Sequence, residues 1–579
     1  MKASYTYPLL VTAFGLWLTG CAATGNSQQS SPQLANPETT ISPLPEPEPP
    51  IVYGQFSQDT LFALLTAEIA GQRNRFDVAL SNYLEQARIT QDPGIIQRAM
   101  QVAEFLGAQQ PALEMALLWV EVEPEDPEAL RAAALQLARA GDHERAMGMM
   151  EQVLALHGET HFDFLALAAA QTDSATRQAA LQSLQQLQQK NPENAQLVFA
   201  TALLLQQEDR QAEALALLEQ NPAAHTAAAP VMLHARLLAE QGEAQKAIST
   251  LQDGLISFPD DSRMRLLLAR LLVANDDLEA AAAQFALLVE QNPNDAELLL
   301  ALGLVNLENG DPDAAIEYLE RLTDIAPGDS TGLYHLGLAY LESDRQEDAL
   351  RTWQSIDDGN EFLTSRLQIS RVLIERDNPD RLAVTLAADR LANPDHQLQL
   401  YLIEIEALFD KHPERALERI NEALQAFEAH TNLLYMRAMV SEKLGDPAGL
   451  ERDLRAILER EPDNAMALNA LGYTLADRNE RLDEALELIE RARSLEPDDP
   501  AIVDSLGWVH YRLGNLDKAE ELLRQAYREF PDQEVAAHLG EVLWQQGRKA
   551  EARAIWKEAV EDEPEGALIR STRERLEAR

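Results

Sequence analysis

Basic residues are scarce. The 579-residue chain carries 95 Asp plus Glu against 48 Lys plus Arg, a formal net charge of −47. A nucleic-acid binder needs a basic face to displace phosphate counterions, so that class is excluded, and charge attraction to anionic lipid with it. A single cysteine, Cys21, rules out a disulfide framework and a cysteine-based zinc site. Aromatic residues make up only 6%. Ala and Leu fill the space instead, residues that lose little on entering a helix, so the chain reads as all-α. No stretch reaches the about 18 uninterrupted apolar residues of a membrane-spanning helix.

What is there begins with a targeting segment. Residues 1–21 hold one Lys (Lys2), the apolar run Leu9–Leu18, two small residues and Cys21. The run is too short to span a bilayer and fits a signal-peptide core. Leu18-Thr19-Gly20-Cys21 resembles the bacterial lipobox, in which the cysteine thiol is acylated and the peptide is cut just before it. Acyl chains contribute about 0.8 kcal/mol per buried methylene, so Cys21 is the expected membrane anchor. Ala22, not Asp, follows the cysteine. The resemblance therefore implies the outer membrane, with the body facing the periplasm. Residues 22–55, with Pro32, Pro37, Pro43, Pro45, Pro47, Pro49 and Pro50, cannot bury a core and read as a disordered tether. It reaches roughly 100 Å when extended.

Prolines set the period of everything after residue 56. Pro259, Pro293 and Pro327 are 34 apart, as are Pro497 and Pro531. Between them a small residue recurs (Gly303, Gly337, Gly472, Gly507, Gly540), then a turn glycine (Gly242, Gly310, Gly445, Gly514, Gly547). Next come an alanine (Ala247, Ala315, Ala349, Ala519, Ala552) and a large apolar residue (Leu251, Phe285, Trp353, Leu523, Trp556). Small residues let two helices approach, the large one fills the gap, and proline stops the second helix. A second set, Pro312, Pro379, Pro413 and Pro447, falls where the second helix starts, a position that tolerates proline. The pattern resembles the tetratricopeptide repeat (TPR), giving roughly fifteen helix pairs over 56–564 in a superhelical solenoid. The weakest repeats are 193–225, with a short second helix, and 357–400. Residues 565–579, rich in Arg, read as a capping helix.

No catalytic or cofactor motif is present: there is no phosphate loop and no Gly-x-Ser-x-Gly elbow. His157-Gly158-Glu159-Thr160-His161 has its glutamate one position late for a zinc helix and straddles an expected turn. Acidic clusters such as Pro259-Asp260-Asp261 and Asp498-Asp499 sit at repeat junctions and read as helix N-caps rather than calcium ligands.

In TPR arrays the first helix of each pair lines the concave groove. Carried onto this chain, the resemblance nominates Asn469, Tyr473, Asp504, Trp508, Tyr511, Arg512, His538, Glu541 and Trp544 as a partner-binding face. Trp, Tyr and Arg are enriched at binding hot spots. Packing between repeats is the competing role for Tyr511 and Trp544. Replacing Trp508 and Trp544 by Ala is expected to weaken binding without unfolding the array. Earlier repeats present Met232, Arg236, Leu266, Arg270, Leu300, Leu304, Leu307, Tyr334 and Leu338, a more apolar stretch.

Segments 76–87, 469–477 and 536–544, with the lipobox and tether, resemble the TPR lipoproteins of Gammaproteobacteria, which include the outer-membrane adaptor of a carboxyl-terminal processing protease. The resemblance implies a non-enzymatic scaffold that binds this periplasmic protease and gathers its substrates, peptidoglycan hydrolases among them. An envelope assembly factor for barrel proteins, pili or exported polysaccharide remains the alternative.

Overall fold

The computed structural model describes residues 56–156, 162–170, 173–560 and 566–578. Cys21, the Pro-rich segment, His157 and His161 lie outside the described residues. Among the described residues there are 31 α-helices and no strand, from Gln58–Gln72 to Ala567–Glu577. They form fifteen consecutive pairs followed by one last helix.

Local chemistry sets the boundaries. Helices end at Ser257, Gln291, Ile325, Leu495 and Glu529, each two residues before a proline that bars its predecessor from helical geometry. An acid then caps the next helix at four of these junctions. Asp261 Oδ1 accepts from the amides of Arg263 (3.0 Å) and Met264 (2.9 Å). Asp499 Oδ1 does the same for Ala501 (2.8 Å) and Ile502 (3.1 Å). Asp261 and Asp499 are thus engaged with backbone N–H groups. In most pairs the chain turns through a left-handed residue. Gly242, Asp276, Gly310 and Asp344, 34 apart in succession, have φ of 80°, 61°, 75° and 59°. Where glycine is missing, Asp or Asn takes the left-handed position, which short polar side chains tolerate. Second helices start at Pro312, Pro379, Pro413 and Pro447.

The small-to-large contact holds each pair together. A Cβ on Gly337 would collide with the Trp353 indole, and one on Gly540 with that of Trp556. On Gly507 it would come within 2.7 Å of Leu523 Cγ. Leu251, Phe285, Trp353, Leu523 and Trp556 are all buried. Three second helices are short: Gln211–Gln220, followed by a 3-10 turn, Gln346–Gln354 and Lys549–Glu558.

The chain divides into two compact units, Met1–Tyr318 and Leu319–Arg579. In the first, Tyr83, Ile96, Met115 and Trp119 centre one apolar cluster. In the second, Leu471, Leu475, Val503 and Val509 centre one cluster, and Leu539, Leu543 and Trp556 another. Within the second unit, each helix packs on its sequence neighbours. Successive first helices also touch, as 465–477 and 500–512 do.

Between residues 357 and 460 the second unit buries ion pairs in place of apolar contacts. Arg366, 2% exposed, makes a bidentate pair with Asp389 at 2.9 Å and donates to the carbonyls of Trp353 and Ile356. Arg390 Nη1 donates to Glu404 Oε2 at 2.5 Å, with both side chains buried. Arg437 pairs with the buried Asp453 at 2.7 and 2.8 Å.

Candidate partner-binding face

Four helices build the face nominated by the sequence: 465–477, 500–512, 533–545 and 567–577. Asn464, Asp499 and Asp532 cap the first three. Helical spacing puts Asn469, Tyr473 and Asp477 on one stripe, and Asp504, Trp508, Tyr511 and Arg512 on the next.

His538 is the centre. Its Nδ1 lies 2.9 Å from Asp504 Oδ2, and its Nε2 lies 3.3 Å from the Tyr473 hydroxyl. That hydroxyl donates to Glu534 Oε1 at 2.9 Å, so its oxygen is left to accept from Nε2–H. Both ring nitrogens are then placed to donate, the arrangement that suits an imidazolium. Burial opposes the charge, but Asp504, with Glu534 and Asp477 beyond, outweighs it and raises the His538 pKa above its ordinary value. The Trp508 ring stacks on His538 with centroids 4.1 Å apart, and the Arg512 guanidinium lies 4.7 Å from the Trp508 ring. Arg512 donates to Asp477 Oδ1 at 3.0 Å, and Trp508 Nε1 reaches the same oxygen at 3.3 Å.

A second branch runs through Glu541. Its carboxylate accepts from the Tyr511 hydroxyl at 3.0 Å and from both terminal nitrogens of Arg575. Burial, then Glu541, pushes the Tyr511 hydroxyl up to about 12. Burial raises Tyr473 as well, with the Glu534 and Asp477 charges adding to it.

The structure therefore joins Tyr473, Asp504, Trp508, Tyr511, Arg512, His538 and Glu541 in adjoining hydrogen-bonded and stacked contacts. Trp544 stands apart. It stacks on Trp556 at 5.8 Å, with Lys549 and Arg553 over its ring at 4.5 and 4.9 Å. Asn469 is half-buried, and its Oδ1 has no hydrogen-bond partner. Trp508, 4% exposed and stacked on His538, is a packing residue, so its replacement by Ala would disturb the fold as well as any contact. Asp477, Glu534 and Arg575 belong to the same network and were not among the nominated residues. Arg575 serves Glu541 rather than only a helix end. In the earlier repeats Met232, Leu266, Leu300, Leu304, Leu307 and Leu338 are half-buried, Tyr334 is buried, and Arg236 and Arg270 are exposed.

Stacked helical pairs with a fixed 34-residue register define an all-α repeat protein of the solenoid class. Among the described residues no group of three His, Cys, Asp or Glu side chains could hold a metal ion, and no helix is long and apolar enough to cross a membrane. The tetratricopeptide repeat family matches residues 232–296, 268–330, 300–356, 451–500 and 505–567. The TPR repeat-containing protein PA4667 of Pseudomonas aeruginosa is 52% identical over 543 residues, covering 93% of this chain and 91% of that protein. The chain belongs to the tetratricopeptide-repeat proteins, a class of protein-binding scaffolds that are in general non-catalytic. A shorter match is the bacteriophage adsorption protein A of Escherichia coli, 31% identical over 112 residues, 19% of this chain and 11% of that protein. Among solved structures, yeast Tom70 is 13% identical with a TM-score of 0.27, covering 90% of this chain and 95% of that one. YrrB, described as a TPR protein with an unusual peptide-binding site, is 21% identical with a TM-score of 0.27, covering 30% and 91%.

Proposed function

We propose that the chain is a lipid-anchored scaffold of the outer membrane that binds a periplasmic carboxyl-terminal processing protease and brings protein substrates to it. The observation that carries the reading is the row of first helices in the second unit, held in one geometry at its end by the buried His538 and Glu541 contacts. A face ordered before binding loses little entropy on docking. The lipobox-like Leu18-Thr19-Gly20-Cys21 supports the anchor, and the resemblance of segments 76–87, 469–477 and 536–544 supports the protease as partner. The chain itself performs no chemistry in this scheme. Holding enzyme and substrate on one body raises their effective concentration, to the order of millimolar for short flexible connections.

The test is capture from the envelope of the native host with the full lipidated chain as bait, read by mass spectrometry. Retrieval of a C-terminal processing protease, lost when Cys21→Ser releases the bait from the membrane fraction, is expected. A bound fraction without the protease refutes the adaptor reading. Barrel, pilus or export proteins in its place would select the envelope-assembly alternative.

A further inference from the structure

One face of the second unit carries an apolar recess and uncompensated acid side by side. First helices 397–409, 431–443 and 465–477 surround a cavity of about 400 Å³, lined by Leu402, Glu406, Tyr435, Met436, Ile457 and Met466 among others. Met466 is 55% exposed and Leu402 and Met436 half-buried, so the recess is open to a ligand. The face continues along the helices. Met466, Asn469, Tyr473 and Asp477 follow at steps of three and four, and Glu442 lies two turns beyond Tyr435.

On the three first helices the unpaired charge is of one sign. Helices 397–409 and 465–477 contain no Lys or Arg. The two cations of 431–443 are engaged elsewhere, Arg437 with Asp453 at 2.7 Å and Lys443 with Asp410 at 2.6 Å. Glu406 and Glu442 are exposed and have no ion-pair partner among the described residues. Although Glu442 is exposed overall, its carboxyl is partly shielded, and that desolvation, with Asp477 and Glu534 adding to it, raises it above its ordinary range. Independently of the acids, the Asn469 Oδ1 acceptor is buried without a donor. A buried acceptor left unmade is costly, and an incoming N–H would recover that cost.

Resting on the scaffold reading, we propose that this face docks an extended segment of a partner protein in which an apolar side chain is flanked by Lys or Arg. The apolar side chain fills the recess, where unbranched methionines adapt to shape. The cations meet Glu406 and Glu442, and a backbone N–H meets Asn469. Charge complementarity selects this occupant. A second copy of a chain with net charge −47, an anionic lipid surface and a nucleic acid would all be repelled.

The test uses the full chain and a short fluorescent peptide, a central Leu flanked on both sides by Lys in a Gly/Ser background. Anisotropy is read at about 0.15 M salt, where screening removes attraction acting beyond about 8 Å. The Lys–Leu peptide binds, and its Glu–Leu and Lys–Gly counterparts do not. Glu406→Lys with Glu442→Lys lowers affinity about tenfold or more, and Met466→Asp about fivefold. Glu279→Lys with Glu290→Lys, an equal charge change in the first unit, lowers it less than about threefold. Absence of binding, equal loss in both double variants, or equal binding of the Lys–Gly peptide overturns the proposal. If the peptide fails while the envelope protease is still captured, only this inference falls. If the peptide binds and no protease is captured, only the adaptor reading falls.

Discussion

Replacing the buried Arg390–Glu404 pair by apolar residues should stabilise the second unit, whereas removing one partner should weaken it severely. Arg390 is 4% exposed and Glu404 fully buried, yet each keeps one polar atom without a hydrogen bond, Arg390 Nη2 and Glu404 Oε1. The nearest further cation, Arg419 Nε, is 3.8 Å from Glu404. Desolvation is therefore offset by one direct bond, a weak long pair and the contact of Arg390 with the Tyr401 ring at 4.1 Å. The repeat period names Leu for Arg390, whereas the period-mates of Glu404 are too small to fill its space, so Met is the substitute there. Leu424 and Leu458 lie 34 and 68 residues after Arg390, and Ala438 and Gly472 stand at the same offsets from Glu404.

Glu404→Met alone leaves a buried guanidinium unpaired, a loss of about 3–5 kcal/mol. Arg390→Leu with Glu404→Met keeps the volume close, forfeits about 1 kcal/mol of cation–π attraction, and removes both desolvation penalties. The double variant should be about 1–3 kcal/mol more stable than the natural chain. Repeat arrays unfold in stages, so a single melting midpoint misreads the local change. Hydrogen exchange of peptides spanning 379–409 reports the local opening free energy. A double variant destabilised by more than about 1 kcal/mol, or a Glu404→Met cost below about 1 kcal/mol, would refute the desolvation argument.

The raised pKa of His538 gives a pH signature. The His538 contribution is fully present below the unfolded histidine pKa and is lost as pH rises through the folded one, so the last repeats should melt lower on the alkaline side. Asp504, Tyr473, Glu534 and Asp477 face the ring, so the control is His538→Gln, which should flatten that part of the profile; an unchanged slope would exclude the imidazolium. Gly540→Ala drives a methyl into the Trp556 ring and should cost about 1–3 kcal/mol in chemical denaturation, while Gly547→Ala tests a left-handed turn (φ 84°) with open space around it. Asp499→Ala removes two cap bonds and should cost about 1 kcal/mol. A neutral result would show that solvent satisfies those amides equally well.

The helix pairs were legible because each repeat announces itself through local rules. Proline stops, acidic caps and small-to-large spacing act within one hairpin, and the period multiplies them. Where the pattern faded, in 357–400, the structure keeps the helices and changes their filling. Arg366 stands 34 residues before Leu400 and 68 before Leu434, and Asp389 stands 34 before Ala423. All three period-mates are buried core residues. An apolar pattern search loses a position whose Leu has become Arg and whose Ala has become Asp, although the pair fills the same space.

The candidate face was legible as a set of residues but not as a set of contacts. Its partners come from neighbouring repeats. Asp504 meets His538, and Glu541 meets Arg575, each 34 residues on, while Asp477 meets Arg512 35 residues on. In a solenoid, equivalent positions of successive first helices lie side by side, so an acid and a base one period apart are placed to pair. Applied to the sequence, that rule would have drawn Arg575 into the face and turned Asp504, His538 and Glu541 from contact candidates into its internal bracing. It also separates the surface left for a partner from the surface already used. His538 and Glu541 are engaged by period-mates, whereas Glu406 and Glu442 are exposed without an ion-pair partner among the described residues. The available binding energy therefore lies toward helices 397–409, 431–443 and 465–477, one to three repeats before the aromatic cluster that draws the eye in the sequence.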